Sequence, residues 1–232
     1  MKSVLITGAN VGLGLSLSKI YLKNNFLVFA GYVENMDNLT KLKKENEDNL
    51  YLVQMDVSSL DMIKKAFSLV KTKTESIDIL INNAGIHPEK SNNELEELDF
   101  EDFHYTIDVN TFGPLKVIQQ LLPLLKKGSK KMIINISSEA GSIKNCQRDR
   151  EYIYCISKAA LNMESRILQN YLGEKGFKIL AVHPGWLQTK MGGPDAVISP
   201  FESANNIFNL SMKSWGKNDP VYLDHYGNVI DW

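Results

Sequence analysis

Cysteine is scarce in this chain of 232 residues; Cys146 and Cys155 are the two it has. Neither stands in metal-ligand spacing, and a lone pair says little about a disulfide framework. Long apolar runs are missing as well. The opening stretch VLITGAN is far below membrane-spanning length. It also lacks the longer apolar region and small-residue cleavage site of a secretory signal. A cytoplasmic chain with reduced thiols and no membrane partner is the expectation. Nor does charge of one sign prevail, because 26 Lys and Arg against 27 Asp and Glu leave a formal net charge of −1. That removes the general electrostatic reason to expect nucleic acid or an anionic membrane as partner. The basic run at 41–44 sits among acids and reads as a solvated helix face. The four histidines are scattered, so no metal is expected. His87, His104 and His225 read as ordinary polar residues, and His183 as one that packs or hydrogen-bonds ahead of Pro184. No Pro/Gly/Ser-rich linker, low-complexity tract or internal repeat divides the chain, which predicts one domain over residues 1–232.

What the chain does have is a rhythm. Hydrophobic residues make up 44% of it, enough for a substantial core. Short runs rich in Val, Ile and Leu occur at 3–6, 26–30, 50–54, 77–81, 131–136 and 178–182. Such runs fit strands buried on both faces of a parallel sheet. Helix-like stretches lie between them, for example 13–23, 59–71, 100–125 and 157–171. The alternation predicts an α/β fold: a doubly wound Rossmann-type parallel sheet of about seven strands, with helices on both faces. The stretch 192–218, which contains GGPDAVISP, follows the sixth strand. It is placed to lie over the carboxyl edge of the sheet as a substrate loop, or to be an ordinary surface excursion.

TGANVGLG, residues 7–14, follows the first strand and opens the first helix. Gly8, Gly12 and Gly14 are spaced G-x-x-x-G-x-G, which differs from the G-x-G-x-x-G fingerprint but shares its logic. Glycine permits a tight turn, close approach of a phosphate and close packing of helix on strand. The helix N-terminus then offers N–H groups and partial positive charge to a pyrophosphate. A GK[ST] ending is missing, which argues against a mononucleotide P-loop.

EYIYCISKAALN, residues 151–162, holds Tyr152, Tyr154 and Lys158. At about 100° per residue, Tyr154 and Lys158 share a helix face, whereas Tyr152 and Lys158 point apart. Taken alone, such a pair also fits a surface contact or a snorkelling lysine.

Further segments carry a resemblance. MDV (55–57), NNAG (82–85), ISS (136–138) and HPGWLQT (183–189) each close a strand. Together with TGANVGLG and YCISK, they make the chain resemble the short-chain dehydrogenase/reductase family over nearly its full length. SKAALN and HPGWLQTKMGGPDA look like the C-factor and sniffer carbonyl-reductase branch. The resemblance implies an NAD(P)-dependent oxidoreductase acting on a carbonyl or secondary alcohol. Gly8, Gly12 and Gly14 would surround the dinucleotide, with backbone contacts near Asn10 and Leu13. Asp56 and Val57 would meet the adenine; Asn83, Ala84 and Gly85 would border the ribose, and Asn82 would help hold the central strands. Pro184, Gly185 and Thr189 would sit at the nicotinamide carboxamide. Ser138 would orient the substrate carbonyl and Tyr154 would act as general acid/base, its pKa lowered by the Lys158 ammonium. Lys158 would also bond the nicotinamide ribose, and Asn110 would prop a water in a proton relay. Relatives often pair through long helices, here 100–125 and 157–171, which implies a homodimer or homotetramer.

Some features depart from the pattern. Tyr154 lies sixteen positions after Ser138, a longer gap than is usual. The intervening KNCQRDRE, 144–151, either lines the substrate entrance or is a solvated loop. Val33 and Val11 stand where a cation would favour NADP, and Glu34 is the one nearby acid, so NAD and NADP both stay open, with family habit leaning to NADP. Trp186, Met191 and 192–218 are candidate pocket walls. A cofactor-binding sensor without turnover is the alternative function, though it would need none of Ser138, Tyr154, Lys158 and Asn110. An epimerase would need a larger substrate domain.

Overall fold

The runs of Val, Ile and Leu become strands β1 (Ser3–Ile6), β2 (Leu27–Tyr32), β3 (Leu50–Gln54), β4 (Ile79–Asn82), β5 (Met132–Ile136) and β6 (Lys178–His183), followed by the short β7 (Tyr222–Asp224). The computed structural model describes residues 1–88, 93–98 and 100–232. Its sheet has seven strands, all parallel, in the order β3-β2-β1-β4-β5-β6-β7. The helices between them are α1 (Gly12–Lys23), α2 (Asp37–Glu45), α3 (Leu60–Lys73), α4 (Glu101–Ile107), α5 (Gly113–Lys127), α6 (Tyr152–Gly173) and α7 (Pro200–Met212).

Alternation along each strand divides the core in two. Val4, Ile6, Val28, Ile79, Ile134 and Leu180 face the layer of α1, α2 and α7. Leu5, Phe29, Leu80, Ile133 and Ile179 face the layer of α3, α5 and α6. The doubly wound sheet expected from the rhythm is therefore present, with helices on both faces. Strand order reverses between β1 and β4, so a crevice opens there at the carboxyl edge.

The single helix expected over 100–125 is broken in the structure. A π-helical turn, Asp108–Phe112, separates α4 from α5. Pro114, at the start of α5, has no N–H to continue a regular ladder. At Gly113 an added Cβ would lie 2.9 Å from Val57 Cγ2, so the backbone presses on the loop after β3. The widened turn carries Asn110 to the inside, where it is buried. Helix α6 begins at Tyr152, earlier than the expected 157, and so takes in Tyr154. The stretch 192–218 divides. Its first residues adjoin the loop after β6, while α7 packs on α1 through the rings of Phe208 and Tyr21 and the Tyr21–Ser211 hydroxyl bond of 2.7 Å.

Candidate active site

The glycine turn sits at the reversal between β1 and β4. Gly8 has φ +61°, a left-handed conformation that glycine adopts without strain. A Cβ on Gly14 would lie 2.2 Å from Gly8 O and 2.6 Å from Asn83 Nδ2, so α1 approaches the strand ends as no other residue would allow. Val11, at the N-cap of α1, offers no side-chain acceptor, and the first turn carries no acid. The leading N–H groups and the positive end of the helix dipole are thus uncapped by the chain itself, which fits a bound pyrophosphate.

The neighbouring strand end is tied to this turn. Thr7 Oγ1 accepts from Asn83 N at 3.0 Å and Ala84 N at 2.9 Å, while Asn83 Nδ2 donates to Thr7 O and Gly8 O, both at 2.9 Å. Asn82 Nδ2 donates to Asn135 Oδ1 at 2.8 Å, joining β4 to β5. Asn10 Nδ2 donates to Glu34 O and Asn35 O, which fixes the turn to the loop after β2. Leu13 is buried, so its backbone is what it can offer a ligand. Asp56 Oδ1 accepts from Ser58 N and Ser58 Oγ. Thr189 lies across from the turn, its Cγ2 3.2 Å from where a Gly12 Cβ would be. Pro184 O accepts from Ser203 Oγ at 2.7 Å, and Gly185 has φ +86°.

Beyond β5, Ser137 Oγ donates to Asn162 Oδ1 on α6 at 2.6 Å. Ser138 is held by two bonds: its Oγ accepts from Ala140 N at 3.1 Å, and its main-chain O accepts from the Tyr222 hydroxyl at 2.5 Å. Lys158 Nζ is 5.7 Å from the Tyr154 ring centroid, so the residues four apart do meet. The ammonium donates to Ile136 O at 2.9 Å. It also stands beside Gly85, whose added Cβ would be 3.6 Å from Nζ and 3.3 Å from Asn110 Oδ1. Asn110 accepts from Ile86 N at 2.8 Å and donates to Ile86 O and Ser157 Oγ. It therefore locks the chain after β4 to the start of α6.

Electrostatics here differ from the sequence expectation. Burial pushes the Tyr154 phenol above the usual tyrosine value, against the Ser138 hydroxyl, which pulls it down. The Lys158 ammonium is itself stripped of water and drops to about 8. Desolvation is the largest influence on both groups, and the ammonium donates to Ile136 O.

A cavity of about 610 Å³ opens beside these groups, lined by Ser138, Tyr154, Pro184, Gly185 and Thr189 among others. Part of its lining is apolar, with Trp186, Leu187 and Met191, and part is charged. His87 meets the Tyr154 ring edge-on at 4.5 Å between centroids, and its Nε2 lies 2.8 Å from Glu151 Oε1. Arg148 pairs with Glu151 through Nη1 and with Glu139 through Nη2. Burial draws the His87 imidazole below its usual value, helped by Arg148 and Lys158.

A family model described as short chain dehydrogenase matches residues 2–196. The chain belongs to this family. It is 33% identical to C-signal of Myxococcus xanthus over 68% of this chain and 95% of that protein. Carbonyl reductase Sniffer of D. melanogaster superposes with a TM-score of 0.92 at 30% identity over 100% of both chains. NADPH-bound carbonyl reductase from chicken fatty liver superposes with a TM-score of 0.90 at 32% identity, over 100% of this chain and 99% of that one. The chain spans about half the length (55%) of the estradiol 17-beta-dehydrogenase 2 of Mus musculus, which it also matches. The sniffer-like and C-factor-like resemblance of the sequence is therefore met.

Within the frame of the short-chain dehydrogenase family, the expected site residues lie along one edge of the sheet. Two residues at the cavity, His87 and Glu139, were not expected there. His87 was read as ordinary, although its place two residues after Gly85 puts it beside the crevice. Arg148 and Glu151 fell within a charged stretch with two readings; the structure brings both to the cavity, while Lys144 pairs with Asp231 at 2.8 Å. Glu139 directly follows Ser138 and went unremarked. His183 also lines the cavity, and its buried Nδ1 has no hydrogen-bond partner among the described residues.

Proposed function

We propose that the chain is an NAD(P)-dependent carbonyl reductase, working in reverse on secondary alcohols. The observation that carries this reading is that Ser138 and Tyr154 line one cavity, with Lys158 behind the Tyr154 ring and Thr189 reaching from the cavity to the glycine turn at the start of α1. Family membership and the likeness to a carbonyl reductase that binds NADPH support it. Gly8, Asn10, Gly12, Leu13 and Gly14 would hold the dinucleotide through backbone groups. Asp56 and Val57 would meet the adenine, and Asn83, Ala84 and Gly85 the adenosine ribose. Pro184, Gly185 and Thr189 would hold the carboxamide, with Lys158 on the nicotinamide ribose.

When bound, the nicotinamide would supply hydride to the carbonyl carbon. Ser138 would donate a hydrogen bond to the carbonyl oxygen and fix its direction. Tyr154 would hand its proton to that oxygen, leaving a phenolate for the Lys158 ammonium to stabilise. Asn110 would link Lys158 to the relay that reprotonates it. Because burial raises the Tyr154 phenol, the group keeps its proton until the carbonyl takes it, which suits reduction over oxidation.

The test is oxidation of NADPH or NADH by purified protein with activated aldehydes and ketones. Tyr154→Phe should lower kcat by about 100-fold or more while leaving reduced-cofactor affinity within about twofold. Unchanged turnover in that variant would remove Tyr154 from the chemistry. Tight cofactor binding with no turnover of any carbonyl would point instead to a binding protein.

A further inference from the structure

The charged lining of the cavity is a chain of paired side chains that the reduction chemistry does not use. It runs from His87, against the Tyr154 ring, through Glu151 and Arg148 to Glu139. Both terminal nitrogens of Arg148 are taken by carboxylates, so the guanidinium is already neutralised. Among the described residues that form these pairs, two carboxylates face one guanidinium, a formal excess of one negative charge. Glu151 has a side chain only 16% exposed, so solvent screens it weakly. It also holds φ at +60°, a left-handed conformation that is costly for a residue with a Cβ. That strained residue sits at the N-cap of α6 without capping it, and its carboxylate goes to the cavity wall instead.

We propose that this rim is a charge filter, and that the substrate is a carbonyl compound with a flat apolar body and no negative charge. The inference rests on the reductase reading and narrows it. The body of the substrate lies against the apolar wall. Trp186 uses its one N–H on Gly192 O at 2.7 Å, which leaves its ring face and the Met191 thioether as the contact surface. Any substituent of the substrate that reaches the rim meets these paired charges. A carboxylate or phosphate there would have to displace Glu139 or Glu151 from Arg148 and then lie beside the group it displaced. His87, drawn towards its neutral form, supplies no compensating charge. A neutral or cationic end meets no such obstacle. Small 2-oxo and 3-oxo acids are thereby excluded, and neutral aryl or alicyclic ketones and aldehydes are admitted.

The test compares two aldehydes of nearly equal reactivity, 4-carboxybenzaldehyde and methyl 4-formylbenzoate, with the full chain and whichever reduced cofactor it uses. The wild-type protein should reduce the ester with kcat/KM at least about tenfold above the acid. In Glu139→Gln/Glu151→Gln, where Arg148 is released, the acid should gain at least about tenfold relative to the ester. Should that variant fail to fold by thermal melting, Arg148→Gln serves instead; it leaves two unpaired carboxylates and should widen the gap in favour of the ester. Equal reduction of both aldehydes by the wild type, a preference for the acid, or a ratio untouched by these substitutions would each overturn the filter alone. Reduction of neither aldehyde, nor of any other carbonyl, would overturn the reductase reading and the filter with it.

Discussion

At the scale of the residue, the two central groups are shifted in opposite senses by one cause. Burial removes water from both Tyr154 and Lys158, and so disfavours the phenolate of one and the ammonium of the other. The phenol thus holds its proton across the working range, and the lysine becomes the group that titrates. Lys158 is charged below about 8 and neutral above it. If its ammonium stabilises the phenolate formed when Tyr154 gives up its proton, the rate of reduction should be highest below that value and fall as pH rises through it. A kcat/KM profile for reduction between about pH 5 and pH 10 checks the sign. A rate that stays level through about 8, or climbs there, would place the titrating group elsewhere.

Helix α6 shows what one element can carry besides the site. On its buried side stand Ser157, Lys158, Leu161, Ser165 and Leu168; Glu164 joins them, with neither carboxyl oxygen partnered among the described residues. Burial pushes this carboxyl up to about 8 from an ordinary value of 4.5. The folded chain therefore binds the proton more tightly than the unfolded chain. The stability linked to Glu164 is complete below about 4.5, declines as pH rises, and is gone above about 8. The full span corresponds to about 5 kcal/mol. Glu164→Leu should raise Tm by several degrees at about pH 8.5 and change it little at about pH 5. A variant that melts with the same pH dependence as the wild type would show that Glu164 is hydrated in solution. Nothing in SKAALNMES marks the glutamate as buried, because its neighbours Met163 and Ile167 are exposed and the apolar pattern does not point to one face. The break in the helix over 100–125 was hidden for a related reason: Asp108 and Phe112 keep helical dihedrals, and the close approach of Gly113 to Val57 comes from another part of the chain. Six of the seven strands, by contrast, were legible as contiguous apolar runs, whereas the three-residue β7 (Tyr222–Asp224) is too short to stand out. The Tyr154–Lys158 pair was legible because helical spacing is local. The rim was not, because the pairing of Glu151 with His87 spans 64 positions and no local spacing encodes it.

For the molecule as a whole, the decisive property is that every strand of the sheet runs the same way, so all the carboxyl ends open on one edge. Order reverses between β1 and β4, and there the two halves of the sheet are joined by Thr7, which accepts from the backbone of Asn83 and Ala84. A dinucleotide lying on that edge would touch both halves at once, through the glycine turn on one side and the Asn83–Gly85 stretch on the other. Its binding should therefore stabilise the fold as one cooperative unit and not as a loop. At a free concentration of about 100 times Kd, the gain is about 2.7 kcal/mol, which for a chain of this size raises a single melting transition by about 5–10 °C. The same measurement reads cofactor preference. Val11 and Val33 are exposed beside the loop after β2, where a 2′-phosphate would seek a cation, and Glu34 follows them in that loop. Val33→Arg should consequently enlarge the NADPH-induced shift in Tm while leaving the NADH-induced shift nearly unchanged. If neither nucleotide moves the transition at millimolar concentration, the crevice at the strand reversal is not a dinucleotide site. If both do, but Val33→Arg leaves their difference as it was, the adenosine ribose does not lie against the end of β2.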